Sequence, residues 1–115
     1  YSDATEVDII TPDLAAIAKL PYRGVVVTAP GNGYTYDFVS RFFAPSVGIA
    51  EDPVTGSSFT ELGPYYQERM GKSEFFAKQV SKRGGEVYVR VDGRRVHIAG
   101  RAQTVMQGRL FLGDL

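Results

Sequence analysis

Cysteine is absent from the 115 residues of this chain. Disulfide frameworks, zinc–thiolate centres and thiol nucleophiles are excluded with it. Only one histidine is present, His97, so a multi-histidine metal site within the chain is excluded too. No apolar run approaches the roughly 18 residues a membrane helix needs. Residues 1–6 carry neither the basic start nor the apolar block of a secretory leader. An initiator methionine is also lacking, and the chain reads as a processed or cut fragment that opens at the edge of a strand. No internal repeat, low-complexity tract or Pro/Gly/Ser-rich linker divides it, so residues 1–115 read as a single domain. The expected location is cytoplasmic, with no membrane as partner.

Hydrophobic residues make up 43% of the chain and charged residues 23%, a balance that suits one buried core and argues against disorder. Formal net charge is zero, but the two parts differ. Residues 1–74 hold ten acidic and five basic side chains; residues 75–115 hold three and eight. The basic residues lie along strand-like segments without an aromatic platform. They read as a solvated face beside an acidic neighbour, and nucleic acid is not an expected partner.

Thr11 and Pro12 suit the cap and first position of a short helix whose apolar face is Leu14, Ile17 and Ala18, ended by Pro21. The β-branched run at 24–29 predicts a buried strand. Gly31-Asn32-Gly33 lacks the spacing of a dinucleotide fingerprint and reads as a turn. The aromatic stretch 34–43 is expected to be extended. Over 55–70, Phe59, Leu62, Tyr66 and Met70 recur at the spacing of one buried helix face, with Gly71 as C-cap. Pro64 conflicts with that helix: it removes a hydrogen bond at a cost of ~3 kcal/mol and should kink or split it unless the surroundings compensate. Strands follow at 74–80 and 86–91, then at 94–98, with further strands expected at 102–106 and 110–112. Asp92-Gly93 predicts a type I′ hairpin pairing Val91 with Arg94, Val89 with Val96, Tyr88 with His97 and Arg90 with Arg95. The class is α+β: a curved, barrel-like, mainly antiparallel sheet wrapped around a central helix.

The chemistry concentrates between Phe42 and Ser58. Pro45 and Pro53 stiffen the approach, and Pro53 biases Asp52 away from helical geometry. Thr55-Gly56-Ser57-Ser58 then opens the helix, whose first amides have no internal partner. Gly56 brings no side chain to hold a ligand away, and Ser57 and Ser58 add hydroxyls. Such a start cradles a small anion, helped by the helix dipole at about 0.3–1 kcal/mol. Asp52 beside it suits a ligand of both charges. The bland alternative is that Thr55 or Asp52 only caps the helix.

The same residues carry a resemblance. Arg41-Phe42-Phe43-Ala44-Pro45, Gly48-Ile49 and Glu51-Asp52-Pro53-Val54-Thr55-Gly56-Ser57 are similar to the signature of the PhzF-like, phenazine biosynthesis-like isomerases. The likeness continues through Pro64-Tyr65, Gln79, Arg83-Gly84-Gly85 and Gly93-Arg94-Arg95-Val96 to Ile98-Ala99-Gly100. It implies the diaminopimelate epimerase fold: two similar domains with the active site between them, this chain resembling the C-terminal one. It implies substrate contacts at Asp52 and Ser57, with the Gly56 and Ser57 amides on a carboxylate; Thr55 and Ser58, at the same helix start, complete the expected substrate-binding set. The catalytic glutamate would belong to the absent N-terminal half, a partner domain, so no catalytic residue is expected here. Neither cofactor nor metal is implied. Many members continue the motif as Ala-His-Cys where this chain has Ser58-Phe59-Thr60, which leaves the substrate class open.

Two functions follow. In one, the chain is the substrate-binding half of an isomerase or epimerase that transfers a proton on a small carboxylate or amino-acid-like substrate. In the other, it is a non-catalytic module that binds an anion or self-associates, for instance as a homodimer. Among the remaining polar residues, His97 reads as a surface residue beside Tyr88, and Glu51 reads as ordering its loop.

Overall fold

Two short helices lead into a six-stranded sheet that carries a long helix on one face. The structure is a computed structural model that describes residues 1–31 and 35–113. The expected turn at 31–33 falls mostly on residues outside that set.

α1 spans Ala4–Ile9 where an extended start was expected. Its N-cap is Asp3, whose Oδ1 accepts from the Thr5 amide at 2.7 Å and the Thr5 hydroxyl at 2.6 Å. Its other end is held by Arg41, whose Nη1 donates to the carbonyls of Val7 (3.2 Å), Asp8 (3.3 Å) and Ile10 (2.8 Å). A cation at a helix C-terminus satisfies carbonyls that have no partner of their own. α2, Leu14–Ala18, is capped by Asp13 through the Ala16 amide rather than by Thr11. Asp13 stands three residues before that amide, the reach an N-cap carboxylate needs, so Pro12 falls outside the helix.

β1 (Val25–Pro30) pairs antiparallel with β2 (Phe38–Ala44), setting Val27 opposite Arg41. The other edge of β2 is shared. Its first residues run parallel to β4 (Glu74–Gln79), with Phe38 opposite Ala77 and Ser40 opposite Gln79. Its last residues pair antiparallel with β3 (Ile49–Asp52), with Phe42 opposite Asp52. β5 (Gly85–Asp92) and β6 (Arg95–Ala99) extend the sheet from β4 as antiparallel neighbours. The order β1-β2-β4-β5-β6 leaves β1 and β6 at opposite edges, so the sheet is not closed into a barrel. The class is mixed α+β.

α3 spans Phe59–Met70 and follows a 3-10 turn at Gly56–Ser58. It runs unbroken through Pro64, which lies on the exposed side of the helix. Phe59, Leu62 and Tyr66 pack with Phe38, Phe75, Ala77, Val87, Val89 and Val91 as the main core. Each of the larger aliphatic and phenylalanine side chains contributes about 1.5–3 kcal/mol by leaving water. Phe38 stacks on Tyr66 with ring centroids 4.2 Å apart. Helix and sheet approach closely at Gly63: a Cβ there would sit 3.1 Å from methyls of both Val89 and Val91. The opposite sheet face buries a smaller cluster of Val7, Ala29 and Val39 under α1.

Two further expectations are corrected. The hairpin turns on Gly93-Arg94, so Val91 pairs with Val96, Val89 with Ile98, Arg90 with His97 and Asp92 with Arg95. Gly93 has φ +54° while no described non-glycine residue has positive φ, which fits a turn needing glycine at its first central position only. The slip is two residues, so every side chain keeps the face the alternation assigned to it. His97 thus lies across from Arg90, not Tyr88, and the expected Arg90/Arg95 like-charge pair does not form. Secondly, residues 102–106 and 110–112 form no strand, and Val105 is 92% exposed and Phe111 82%. Among the described residues they meet no neighbouring strand to pair their amides and no surface to cover their side chains.

Candidate functional site

Asp52 ends β3, and three residues later Thr55 precedes the 3-10 turn. The connection is locked from beneath by Gln79, fully buried at the inward-facing end of β4. Gln79 Oε1 accepts from the Thr55 amide at 2.7 Å. Its Nε2 donates to the Asp52 carbonyl at 2.7 Å and to Thr55 Oγ1 at 3.2 Å. Thr55 Oγ1 in turn donates to Asp52 Oδ2 at 2.5 Å. Below the turn Ser81 Oγ donates to the Pro53 carbonyl at 2.8 Å. On the far side of β3, Arg41 forks onto both oxygens of Glu51, at 2.7 and 3.0 Å. The bond to Glu51 holds the Arg41 guanidinium more basic than usual. Glu51 therefore orders the strand that delivers Asp52.

This lock decides what the turn presents. The carboxylate of Asp52 is taken by the Thr55 hydroxyl and caps no amide, and Thr55 makes no side-chain cap bond. Ser58 is buried, its Oγ donating to the Thr55 carbonyl at 2.8 Å, and its amide bonds the same carbonyl at 3.2 Å. Among the described residues the amides of Gly56 and Ser57 have no hydrogen-bond partner, and both residues are exposed. The Ser57 hydroxyl accepts from Arg23 Nη2 at 2.7 Å, which leaves its own proton to donate elsewhere. Of the five residues marked in the sequence, Gly56 and Ser57 therefore face solvent, Asp52 is half-buried beside them, and Thr55 and Ser58 are turned inward as supports.

Glycine at 56 is required neither by backbone nor by packing. Its φ is not positive, and a Cβ would meet nothing within 4 Å. What its missing side chain leaves open is approach to the amide. Two clefts flank the turn. One, about 480 Å³, runs from Gly56 to Arg83 and Arg101; the other, about 380 Å³, lies between Ser57, Arg23 and Glu61. Among the described residues, no cluster of three or more metal-binding side chains occurs and no helix is long and apolar enough to cross a membrane.

Sequence reasoning passed over Arg23 and gave Gln79 no role. Arg23 lies 34 residues from Ser57 and follows no local pattern. Gln79 did carry a signal: it is a polar residue at an inward position of an alternating strand, and a buried amide needs partners.

A mixed sheet carrying one long helix, with open amides where that helix begins, defines the class of this protein. A family model described as phenazine biosynthesis-like protein, PhzC-PhzF, matches residues 1–108, and the chain belongs to that family. It is 54% identical over 101 residues to an uncharacterized isomerase of Pseudomonas aeruginosa, covering 88% of this chain and 38% of that protein. It is 52% identical over 107 residues to phenazine biosynthesis-like domain-containing protein 2 of Mus musculus, covering 87% and 37%. The crystal structure of a PhzF-family phenazine biosynthesis protein from Enterococcus faecalis superposes with a TM-score of 0.85 at 42% identity, over 96% of this chain and 42% of that one. The chain spans less than half the length of the curated relatives it matches.

Proposed function

We propose that this chain is the substrate-binding half of a PhzF-family isomerase that moves a proton on a small carboxylate or amino-acid-like substrate. The observation that carries this reading is the pair of unpartnered, exposed amides at Gly56 and Ser57. Two adjacent N–H groups at a helix start match the geometry and charge of a carboxylate. The Ser57 hydroxyl supplies a third donor, and Asp52 stands nearby for an ammonium or hydroxyl of the same molecule. Curated relatives named as isomerases support the class of activity. In the assembled protein the sheet curves around α3, and the start of α3 faces a cleft shared with the other half. The general acid/base, a glutamate by family resemblance, comes from the length of the relatives that this chain does not span. The resemblance implies no cofactor for this step.

Two measurements test this. A crystal of the chain soaked in acetate is expected to show the anion within hydrogen-bond distance of both amides; an empty cradle at saturating acetate removes the substrate-binding half of the proposal. Incubated with its substrate in deuterated water, the intact protein is expected to exchange the α-proton for deuterium, whereas this chain alone does not. Exchange catalysed by the chain alone would place the acid/base within it and overturn the division of labour.

A further inference from the structure

The cleft that begins at Gly56 continues away from the carboxylate cradle along a wall of unusual composition. Arg83, Gly84, Gly85, Gly100 and Arg101 line it. Both arginines on this wall are exposed, as is Gly100, while Gly84 and Gly85 are half-buried. Among the described residues neither arginine has an ion-pair or hydrogen-bond partner. Glu86 also borders the cleft, but its Oε1 accepts from the Tyr36 hydroxyl at 2.8 Å. The wall is rigid where it meets the cradle: Val54 fills the space a Cβ on Gly85 would need, and the Gly84 amide bonds Ser81 Oγ at 3.0 Å. Ser81 is the residue that also holds Pro53, so the arginine wall and the start of the helix are set by one side chain.

We propose that this wall is a second anion subsite, and that the ligand bridging it to the Gly56 amide is a dianion of the dicarboxylate class. The proposal rests on the carboxylate reading of Gly56 and Ser57 and extends it. An arginine is the side chain suited to a carboxylate, since its planar fork donates two parallel bonds to the two oxygens. The volume of about 480 Å³ is that of a small-molecule site. A monocarboxylate would occupy the cradle alone; a dicarboxylate would reach both ends.

The test is a titration of the isotopically labelled chain with butyrate and with glutarate, followed by amide NMR. Both are expected to shift Gly56 and Ser57. Only glutarate should also shift Gly84, Gly85 and Gly100, and it should bind about tenfold more tightly, as a second charge-assisted contact allows. The double variant R83Q/R101Q, altered at two exposed positions, should keep the thermal midpoint and butyrate affinity of the parent and lose the glutarate advantage. Glutarate binding no tighter than butyrate, or shifts confined to Gly56 and Ser57, overturns the second subsite while the cradle stands. Shifts at Gly84 and Gly100 without any at Gly56 overturn the bridging dianion and the carboxylate reading together.

Discussion

The side-chain amide of Gln79 touches three atoms of the segment entering α3, and all three contacts are out of water or nearly so. Replacing it with leucine keeps the bulk but leaves the buried Thr55 amide without an acceptor. An unsatisfied buried donor costs about 1–3 kcal/mol, so Gln79→Leu should lower the free energy of unfolding in urea titration by that amount and broaden the Gly56 amide signal as the turn loosens. Gly56→Ala is the converse. With no neighbour to meet and an ordinary φ, it should change stability by no more than about 0.5 kcal/mol, yet abolish the acetate response. Tyr66 adds a pH dependence. Burial raises its phenol above the ordinary value, with the Thr28 hydroxyl at 2.9 Å working the other way. A raised acid pKa means the folded state holds its proton longer than the unfolded chain does. The contribution is full below the unfolded value of about 10 and is lost as pH rises through the raised one, so stability should fall above pH ~10. Tyr66→Phe should flatten that alkaline limb in chemical denaturation while lowering stability near neutrality. At this scale the sequence was informative where a residue type implies its chemistry. Gly56 and Ser57 stood out because a helix start after proline exposes amides. Ser58 and Thr55 looked equivalent to them, and only the three-dimensional lock by Gln79 divides inward from outward.

Elements were legible where periodicity was strong. The apolar repeat Phe59, Leu62, Tyr66 named the buried face of α3, and strict alternation named β5. Pro64 was expected to break α3 unless its surroundings compensated, and they do: local rules count the missing hydrogen bond, and packing offsets it. Phe59 and Tyr66, on either side, are both fully buried and hold the helix across the gap. The hairpin faces were right and the register was not. Asp92-Gly93 and Gly93-Arg94 both supply a two-residue turn, and local sequence does not weigh the β5 to β4 pairing that fixes which is used. Between helix and sheet, Gly63 is a tight point. Alanine there would favour the isolated helix by about 1 kcal/mol, but its methyl meets two valines at 3.1 Å. Gly63→Ala should therefore destabilise by about 1–3 kcal/mol in urea titration, against its helix propensity. A neutral or stabilising result would mean that α3 rides more loosely on β5 than the contacts indicate.

For the molecule as a whole, the sheet order was hidden from the sequence, because pairing between distant strands leaves no local mark. The α+β class was legible; the parallel join of β2 to β4, the open sheet and the helix at the chain start were not. Residues 102–113 present Val105, Met106, Leu110 and Phe111 to solvent without secondary structure. Truncation after Arg101 should leave the thermal midpoint of the chain unchanged, since no core residue is lost, and should reduce concentration-dependent self-association in sedimentation, since exposed apolar clusters drive it. A marked drop in midpoint would mean the tail covers the domain in solution.

The position of β2 has a kinetic meaning. β1 and β2 are joined by a short connection, and β4, β5 and β6 follow one another as a meander, so each group closes only small loops. Their seam is the parallel contact of Phe38 with Ala77, two strands separated in sequence by β3 and α3. Long-range closure is the slow part of folding. On that ground the two pieces are expected to assemble first and dock last, and the loop from Asp52 to Ser58, held by Gln79 of β4 on one side and continuous with β3 on the other, to gain its shape only with the docking.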